Sequence, residues 1–191
     1  LAAMGRRAAA IGVTVLLACA PVACGGDGGG EESPQAVAPL VETDARTRSD
    51  ERMVAGLRTL VVQPGGGGPF PLVVFVHGAG APPEFYEELL TEVAVEGNVV
   101  VAPAMPGSSD NADAAALLAL PFQPGRVRDV IDAVTEGREA IPAVDPERVI
   151  VAGHSLGAMT ALATAFNTCC TDPRVDAVVA IAGQLATFPE G

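Results

Sequence analysis

The pentapeptide GHSLG at residues 153–157 constrains this chain more than any other segment, because of what stands on either side of it. It follows a short apolar, β-branched run at residues 148–152 and opens an Ala-rich, helix-type run. A G-x-S-x-G sequence at a strand-to-helix turn is typical of a nucleophile elbow. In such a turn the serine takes a strained backbone conformation, and the glycines let two chain segments approach closely. The pattern therefore predicts that Ser155 is a catalytic nucleophile.

Around this turn, strand-type and helix-type runs alternate along the chain. Strands are predicted over residues 57–63, 72–76, 98–102, 148–152 and 175–182, and helices from residue 83 or 84, over 127–134 and over 156–166. Pro64 and the four glycines that follow it predict a hairpin-like connection after the first strand. The alternation requires right-handed crossovers and a mostly parallel sheet with helices on both faces. The predicted fold class is α/β, a three-layer sandwich.

The N-terminal residues carry export signals. Arg6 and Arg7 precede an apolar run that is too short to span a bilayer, so residues 1–18 are predicted to be a signal peptide. The tetrapeptide LLAC that ends at Cys19 resembles the lipobox of bacterial lipoproteins, so Cys19 is the expected lipidation site, with Cys24 as the alternative. Ordinary secretion also stays open. We expect an exported protein, either extracellular or held at the cell membrane by a lipid anchor.

The domain organisation follows from composition. Residues 19–49 are rich in Gly, Pro and Glu and are expected to form the anchor region and a flexible linker, and the folded domain is expected over residues 50–191. The 191 residues carry 23 acidic and 11 basic side chains, a formal net charge of −12. This balance argues against a nucleic-acid surface, because phosphate contacts need clustered Lys and Arg. We expect a monomer whose only membrane contact is the lipid anchor.

No pattern in the chain indicates a metal or a cofactor. No His, Cys and Asp cluster has metal-ligand spacing, and the glycines at residues 65–68 lack the Lys-Ser/Thr of a phosphate-binding loop. We therefore expect neither a bound metal nor a cofactor.

The segment FVHGAG at residues 75–80 resembles the oxyanion loop of α/β-hydrolases, and together with the elbow it gives both motifs in the order of that family. The resemblance runs from about residue 50 to the C-terminus. It is nearest to secreted serine esterases of the dienelactone-hydrolase-like, chlorophyllase-like and polyester-hydrolase-like (PET-hydrolase-like) types. It implies that Ser155 attacks the carbonyl of a small or polymeric carboxylic ester and that water then hydrolyses the acyl-enzyme.

The resemblance also implies an oxyanion hole of two backbone N–H groups. Leu156, directly after the nucleophile, is expected to supply one, and Ala79 in the loop is expected to supply the other. His77, Gly78 and Gly80 are expected to give the loop its shape. Gly153, His154 and Gly157 belong to the elbow.

In α/β-hydrolases the acid and then the histidine follow the nucleophile along the chain. The two histidines, His77 and His154, both precede Ser155. Neither is expected to be the base, and His154 is expected to pack or hydrogen-bond locally. The triad acid and base are therefore expected beyond Gly191, which makes this chain a C-terminally truncated form that is inactive alone.

The sequence assigns no catalytic role to most of the carboxylates and cysteines near the C-terminus. Asp172 and Asp176 flank the start of the last strand and are expected to be solvated loop carboxylates, and Glu190 is a weaker candidate for the triad acid. A bond between the neighbours Cys169 and Cys170 would close a strained ring. Pairing of one with a cysteine further along the chain is therefore expected instead, and burial of both as apolar side chains stays open.

Three alternatives keep the same nucleophile but change the reaction. The chain would then belong to a thioesterase, an acyltransferase or a peptidase. A fourth alternative is a binding protein that has the α/β-hydrolase fold but has lost catalysis.

Overall fold

The computed structural model describes residues 47–110, 114–139, 141 and 143–186. The predicted signal peptide, both lipidation candidates Cys19 and Cys24, most of the predicted linker, and Glu190 lie outside the described residues.

The described part of the chain is built on one sheet with the strand order β1-β2-β4-β3-β5-β6. The strands are β1 (Thr47–Val54), β2 (Leu57–Pro64), β3 (Phe70–Val76), β4 (Val99–Pro103), β5 (Val144–His154) and β6 (Val175–Ile181). The pairs β4–β3, β3–β5 and β5–β6 are parallel, whereas β1–β2 and β2–β4 are antiparallel. The predicted mostly parallel α/β sheet is confirmed.

Four α-helices accompany the sheet within the described ranges: α1 (Glu87–Val95), α2 (Ala114–Ala119), α3 (Gln123–Thr135) and α4 (Leu156–Phe166). Short 3-10 turns, Pro83–Tyr86 and Leu120–Phe122, precede α1 and α3. Measured against the thickness of a bilayer, none of the helices in the described ranges is long and apolar enough to cross it.

Two hydrophobic cores cover the two faces of the sheet, and alternate strand residues enter different cores. Val74 and Val101 pack with residues of α3 and α4, whereas their neighbours Val73 and Val100 pack with α1. All four are buried. Because successive side chains of a strand point to opposite faces, a strand covered on both faces needs a continuous apolar run rather than an alternating one. This is why residues 72–76 and 99–102 are uninterrupted Val, Leu, Phe and Ala.

The antiparallel edge of the sheet differs from the prediction. The expected hairpin after β2 is wrong: β1 and β2 form the hairpin through Ala55 and Gly56, and β2 pairs with β4 instead of β3. Both turn residues have positive φ, 49° and 76°, as a tight hairpin turn requires. β1 escaped prediction because its sequence TRSDERMV is mostly charged and polar, as suits an exposed edge strand. It begins at Thr47, ahead of the expected domain boundary at residue 50.

In the loop between α4 and β6, two predictions from the sequence are wrong. Cys169 and Cys170 form a disulfide with each other, so the expectation that one pairs with a later cysteine is wrong. Asp172 is not solvated, since only 2% of its side chain is exposed. Its carboxylate accepts hydrogen bonds from the Arg174 guanidinium at 2.9 and 2.6 Å, which compensate the buried charge. Asp176 is exposed, as expected, and accepts a hydrogen bond from the Val149 N–H.

Candidate active site

Ser155 occupies a strained turn between β5 and α4. Its backbone has φ 51° and ψ −116°, a region that a residue with a Cβ rarely adopts and that costs about 1–3 kcal/mol. The Ser155 N–H donates to the Ile181 carbonyl of β6 at 2.8 Å, and the residue is exposed. This is the backbone conformation that the G-x-S-x-G pattern predicts.

The two elbow glycines are required by backbone packing. A Cβ on Gly153 would lie 2.3 Å from the Gly157 carbonyl oxygen. A Cβ on Gly157 would lie 2.0 Å from the Val76 carbonyl oxygen and 2.6 Å from that of His77. Since every one of these neighbours is backbone, no side chain can move to make room. The glycines therefore bring α4 directly against the end of β3.

In the loop that follows β3, two of three successive N–H groups donate hydrogen bonds within the protein. The Gly78 N–H donates to the Tyr86 hydroxyl at 3.1 Å, and the Gly80 N–H donates to the Ser108 carbonyl at 2.8 Å. Ala79 lies between them, and its N–H donates to no acceptor within the described ranges. The same holds for Leu156, because the first N–H groups of a helix have no intrahelical acceptor. The two N–H groups expected to form an oxyanion hole are thus both available.

His77 is fully buried and uses both ring nitrogens. Its Nε2 lies 2.9 Å from the Met105 backbone nitrogen, and its Nδ1 lies 2.8 Å from the Gly78 carbonyl oxygen. Because the amide can only donate and the carbonyl can only accept, the imidazole is neutral with its proton on Nδ1. Burial lowers the pKa of His77, against the opposing effect of the Gly78 hydrogen bond. Neither nitrogen is free to take a proton from Ser155.

The hydrogen bond from His77 also orients Ala79. The Gly78 carbonyl and the Ala79 N–H belong to one planar peptide unit, in which they point in opposite directions. Holding the carbonyl against the buried imidazole therefore turns the Ala79 N–H away from His77. The His77 side chain thus fixes the orientation of the Gly78–Ala79 peptide.

His154 is packed and hydrogen-bonded beside the turn, with a partner that is distant in sequence. Its Nδ1 lies 2.9 Å from the hydroxyl of Tyr86, which is the one tyrosine of the chain. The Tyr86 ring packs on Phe75 of β3, with centroids 4.9 Å apart, and against the His154 ring at 5.7 Å. Tyr86 was not predicted from the sequence. Its uniqueness in the chain and its position in the segment after the loop were the available signals.

A second polar connection, also missed, is buried beneath the site. Gln123 at the start of α3 donates from Nε2 to the Ser108 hydroxyl at 2.8 Å, and its Oε1 accepts from the Thr160 hydroxyl of α4 at 2.7 Å. Gln123 is 2% exposed. The side chain therefore links the segment after β4, which holds Gly80, to the helix that follows Ser155.

Within the described ranges, no Asp or Glu hydrogen-bonds to either histidine. Nor does the described part of the chain contain a group of three His, Cys, Asp or Glu side chains that could hold a metal ion.

Comparisons with known proteins identify the family. The model of the alpha/beta hydrolase family matches residues 73–191, which is more than half of the chain. The curated protein "Chlorophyllase type 0" of Chenopodium album is 28% identical over 116 residues, which are 56% of this chain and 32% of that protein. A crystal structure of a Klebsiella pneumoniae protein assigned as a dienelactone hydrolase superimposes with a TM-score of 0.55 at 20% identity.

The structural match covers 73% of this chain and 61% of the Klebsiella protein. The chain therefore spans about a third of the length of the chlorophyllase and about three fifths of the length of the dienelactone hydrolase. The family match includes most of β3 and the loop after it, and all of β5 and the turn at Ser155. The chain belongs to the α/β-hydrolase family.

Proposed function

We propose that this chain carries the nucleophile and the oxyanion hole of a serine hydrolase that acts on carboxylic esters. The observation that carries the proposal is the geometry of the elbow. Ser155 is exposed in a strained turn, and the N–H groups of Leu156 and Ala79, one on each of the two adjoining segments, have no protein acceptor within the described ranges. The likeness to a chlorophyllase sequence and to a dienelactone hydrolase fold supports an ester as substrate.

In the proposed reaction the Ser155 hydroxyl attacks the ester carbonyl, and its proton passes to a general base. The carbonyl oxygen becomes an anion, which accepts hydrogen bonds from the Leu156 and Ala79 N–H groups. Such donors are held in place before the reaction, and losing one typically costs about 3–4 kcal/mol of activation energy. The alcohol leaves with a proton from the base, and water then hydrolyses the acyl-enzyme by the same steps in reverse order.

We propose that the general base and its acid partner come from sequence beyond Gly191. Two observations support this. His77 has both nitrogens engaged in the protein interior, and His154 has its Nδ1 engaged with Tyr86. The chain also spans only part of the relatives that it matches. The protein that includes both residues 1–191 and this additional sequence is called the parent protein below.

The test is hydrolysis of p-nitrophenyl butyrate. We expect the parent protein to hydrolyse it, and we expect Ser155→Ala to lower kcat by roughly four to six orders of magnitude, as removal of a triad serine does elsewhere. The 191-residue chain alone should show negligible turnover. Robust activity of the short chain that disappears in Ser155→Ala would overturn the proposed origin of the base. An active Ser155→Ala parent protein would overturn the nucleophile.

A thioesterase, an acyltransferase or a peptidase would use the same nucleophile. Assays of the parent protein with a thioester, with an acyl acceptor other than water and with a peptide decide among these three alternatives. A fluorophosphonate probe tests the remaining alternative, a binding protein without catalysis. The probe should label Ser155 of a hydrolase and should leave a non-catalytic fold unlabelled.

We also propose that the protein is exported and held at the membrane by a lipid on Cys19, or on Cys24. Supporting this are the basic and apolar N-terminal residues and the LLAC sequence. Metabolic labelling with a fatty acid should be lost in Cys19→Ser if Cys19 is the anchor, and only in Cys24→Ser if it is Cys24. Labelling of neither cysteine would indicate ordinary secretion.

A further inference from the structure

We propose that Tyr86 is a positioning residue that fixes the oxyanion loop against the nucleophile elbow. The inference deepens the proposed function and rests on it, since it assigns a role in shaping the oxyanion hole to a side chain that does not itself touch the substrate.

The Tyr86 hydroxyl joins the two segments directly. It accepts the Gly78 N–H at 3.1 Å, and it lies 2.9 Å from His154 Nδ1. A phenol oxygen has two lone pairs and one proton, so it can accept from Gly78 while it exchanges a second hydrogen bond with the imidazole. One hydroxyl therefore connects the residue before Ala79 with the residue before Ser155.

Close packing leaves little room for the hydroxyl to move. A Cβ on Gly78 would lie 3.0 Å from His154 Nδ1 and 3.1 Å from the Tyr86 oxygen, so both groups lie against the glycine itself. The Tyr86 ring packs against the ring of Phe75 near the end of β3. Tyr86 thus reaches the loop from the 3-10 turn that leads into α1, on the other side of the sheet from α3 and α4.

Gly78 is consequently held at both of its peptide groups. Tyr86 fixes the N–H of the His77–Gly78 peptide, and the Gly78 carbonyl accepts from His77 at 2.8 Å and from the Ala81 N–H at 3.3 Å. Without the Tyr86 contact Gly78 is held on its carbonyl side alone, and a glycine permits a wide range of φ and ψ angles. Rotation at Gly78 would turn the Ala79 N–H away from the developing oxyanion. The Tyr86 hydroxyl therefore acts on catalysis through Ala79.

The experiment compares Tyr86→Phe with wild type in the parent protein. The variant keeps the ring and its contact with Phe75 and removes only the hydroxyl. We expect kcat to fall about 10-fold with KM changed less than about two-fold, because a displaced catalytic group costs transition-state rather than ground-state binding. The Ki of a trifluoromethyl ketone, whose adduct places an oxyanion in the hole, should rise by the same factor as kcat/KM falls.

The matched control is Thr135→Val. The Thr135 hydroxyl is also half-buried, but within the described ranges it donates to the Ile131 carbonyl of its own helix, at 2.7 Å, and to no other segment. We expect this variant to keep the wild-type kcat and Ki. If Thr135→Val lowers kcat as much as Tyr86→Phe does, the effect comes from general loosening of the fold, and the proposal is overturned.

A physical readout that needs no turnover separates this proposal from the proposed function. Amide hydrogen exchange at Gly78 should become at least about 10-fold faster in Tyr86→Phe, because that amide loses its acceptor, while exchange at Gly80 should stay unchanged. If the wild-type protein hydrolyses no ester, the proposed function fails, and the exchange at Gly78 still decides whether Tyr86 holds the loop. Unchanged exchange at Gly78, or an unchanged kcat in an active protein, overturns the positioning role.

A second variant covers the case in which Tyr86→Phe does not fold. His154→Phe removes the other partner of the hydroxyl and keeps an aromatic ring beside Tyr86. We expect this variant to lower kcat by a smaller factor than Tyr86→Phe does. Where both single variants fold, we expect the kcat of the double variant to match that of Tyr86→Phe within about two-fold, because the two side chains belong to one network. Fully additive losses, or no loss in His154→Phe, would overturn the connection between loop and elbow.

Discussion

Strand β5 has a parallel neighbour on each side, and the two sides are packed very differently. Toward β3, the elbow glycines bring backbone against backbone, and Leu72–Val76 is buried throughout. Toward β6, Val179 is 47% exposed and Ile181 is 39% exposed although residues 177–181 of the strand are all apolar. An apolar run thus predicts a strand, but the layers around the strand decide whether it is buried. The candidate oxyanion hole is built on the closely packed side.

The largest effect that this comparison predicts is for Gly157→Ala. The new Cβ would lie 2.0 Å from the Val76 carbonyl oxygen, and only a backbone shift can relieve that clash. We expect the free energy of unfolding to fall by more than about 4 kcal/mol, or the protein not to fold. Urea denaturation of the parent protein measures this.

Gly183→Ala, just beyond β6, is the matched variant. Its Cβ would meet the Ala158 Cβ at 2.3 Å, but the segment 181–185 is exposed and can shift outward. We expect a smaller loss, about 1–2 kcal/mol. Equal losses for Gly157→Ala and Gly183→Ala would mean that the two sides of β5 are equally rigid.

The next effect concerns the ion pair of Asp172 and Arg174, in the loop that leads into β6. In Asp172→Asn the Arg174 guanidinium loses the partner that binds it at 2.6 Å, although it keeps Asp132 at the same distance. We expect a loss of about 2 kcal/mol at pH 7, measured by urea denaturation, because one charge of a largely buried pair is left partly uncompensated. A loss below about 0.5 kcal/mol would place this loop with the loosely packed part of the molecule.

The same variant has a predicted pH dependence. Burial raises the pKa of Asp172, but the hydrogen bonds from Arg174 outweigh it, so the pKa lies below its ordinary value. The folded protein then binds fewer protons than the unfolded chain, and the stabilisation is complete above the unfolded pKa of about 3.9 and is lost as the pH falls below it. The stability difference between wild type and Asp172→Asn should therefore shrink on lowering the pH from 5 toward about 3.

The smallest effect compares a buried valine of β5 with an exposed valine of β6. In the register Val151 pairs with Val178, whereas Val179 pairs with Ala152 and lies on the opposite face of the sheet, where it is exposed. Val151→Ala should cost about 2 kcal/mol because Val151 is fully buried, whereas Val179→Ala should cost less than about 0.5 kcal/mol. Thermal denaturation of both variants measures the difference. A cost for Val179→Ala near that of Val151→Ala would show that β6 is covered in the parent protein.

The predictions from sequence succeeded where the constraint is local. The buried strands and the helix after the elbow could be assigned because apolar runs and helical spacing are properties of neighbouring residues. The strained turn at Ser155 could be expected because only glycines on both sides permit it. Strand β1 could not be predicted, because its charged sequence suits an edge position, and that position depends on how the whole sheet is arranged.

The site's supporting contacts were harder to predict because they join distant parts of the chain. Tyr86 and His154 are 68 positions apart, and Thr160 and Gln123 are 37 apart. The burial of Asp172 depends on Arg174 and on Asp132 of α3, which no pattern in the sequence brings together. Residue type and spacing therefore located the strained turn at Ser155, whereas the groups that hold this turn and the neighbouring loop come from distant parts of the chain.

The hydrogen bond from the Ser155 N–H to the Ile181 carbonyl couples the exposed strand β6 to the strained turn. The strained serine is tied on one side to the rigid end of β3, through Gly157, and on the other side to the last residue of β6. Motion of β6 would reach Ser155 through that carbonyl and through the pairing of Ile181 with His154. A segment that packs onto β6 would therefore steady the Ser155 backbone without coming near its side chain.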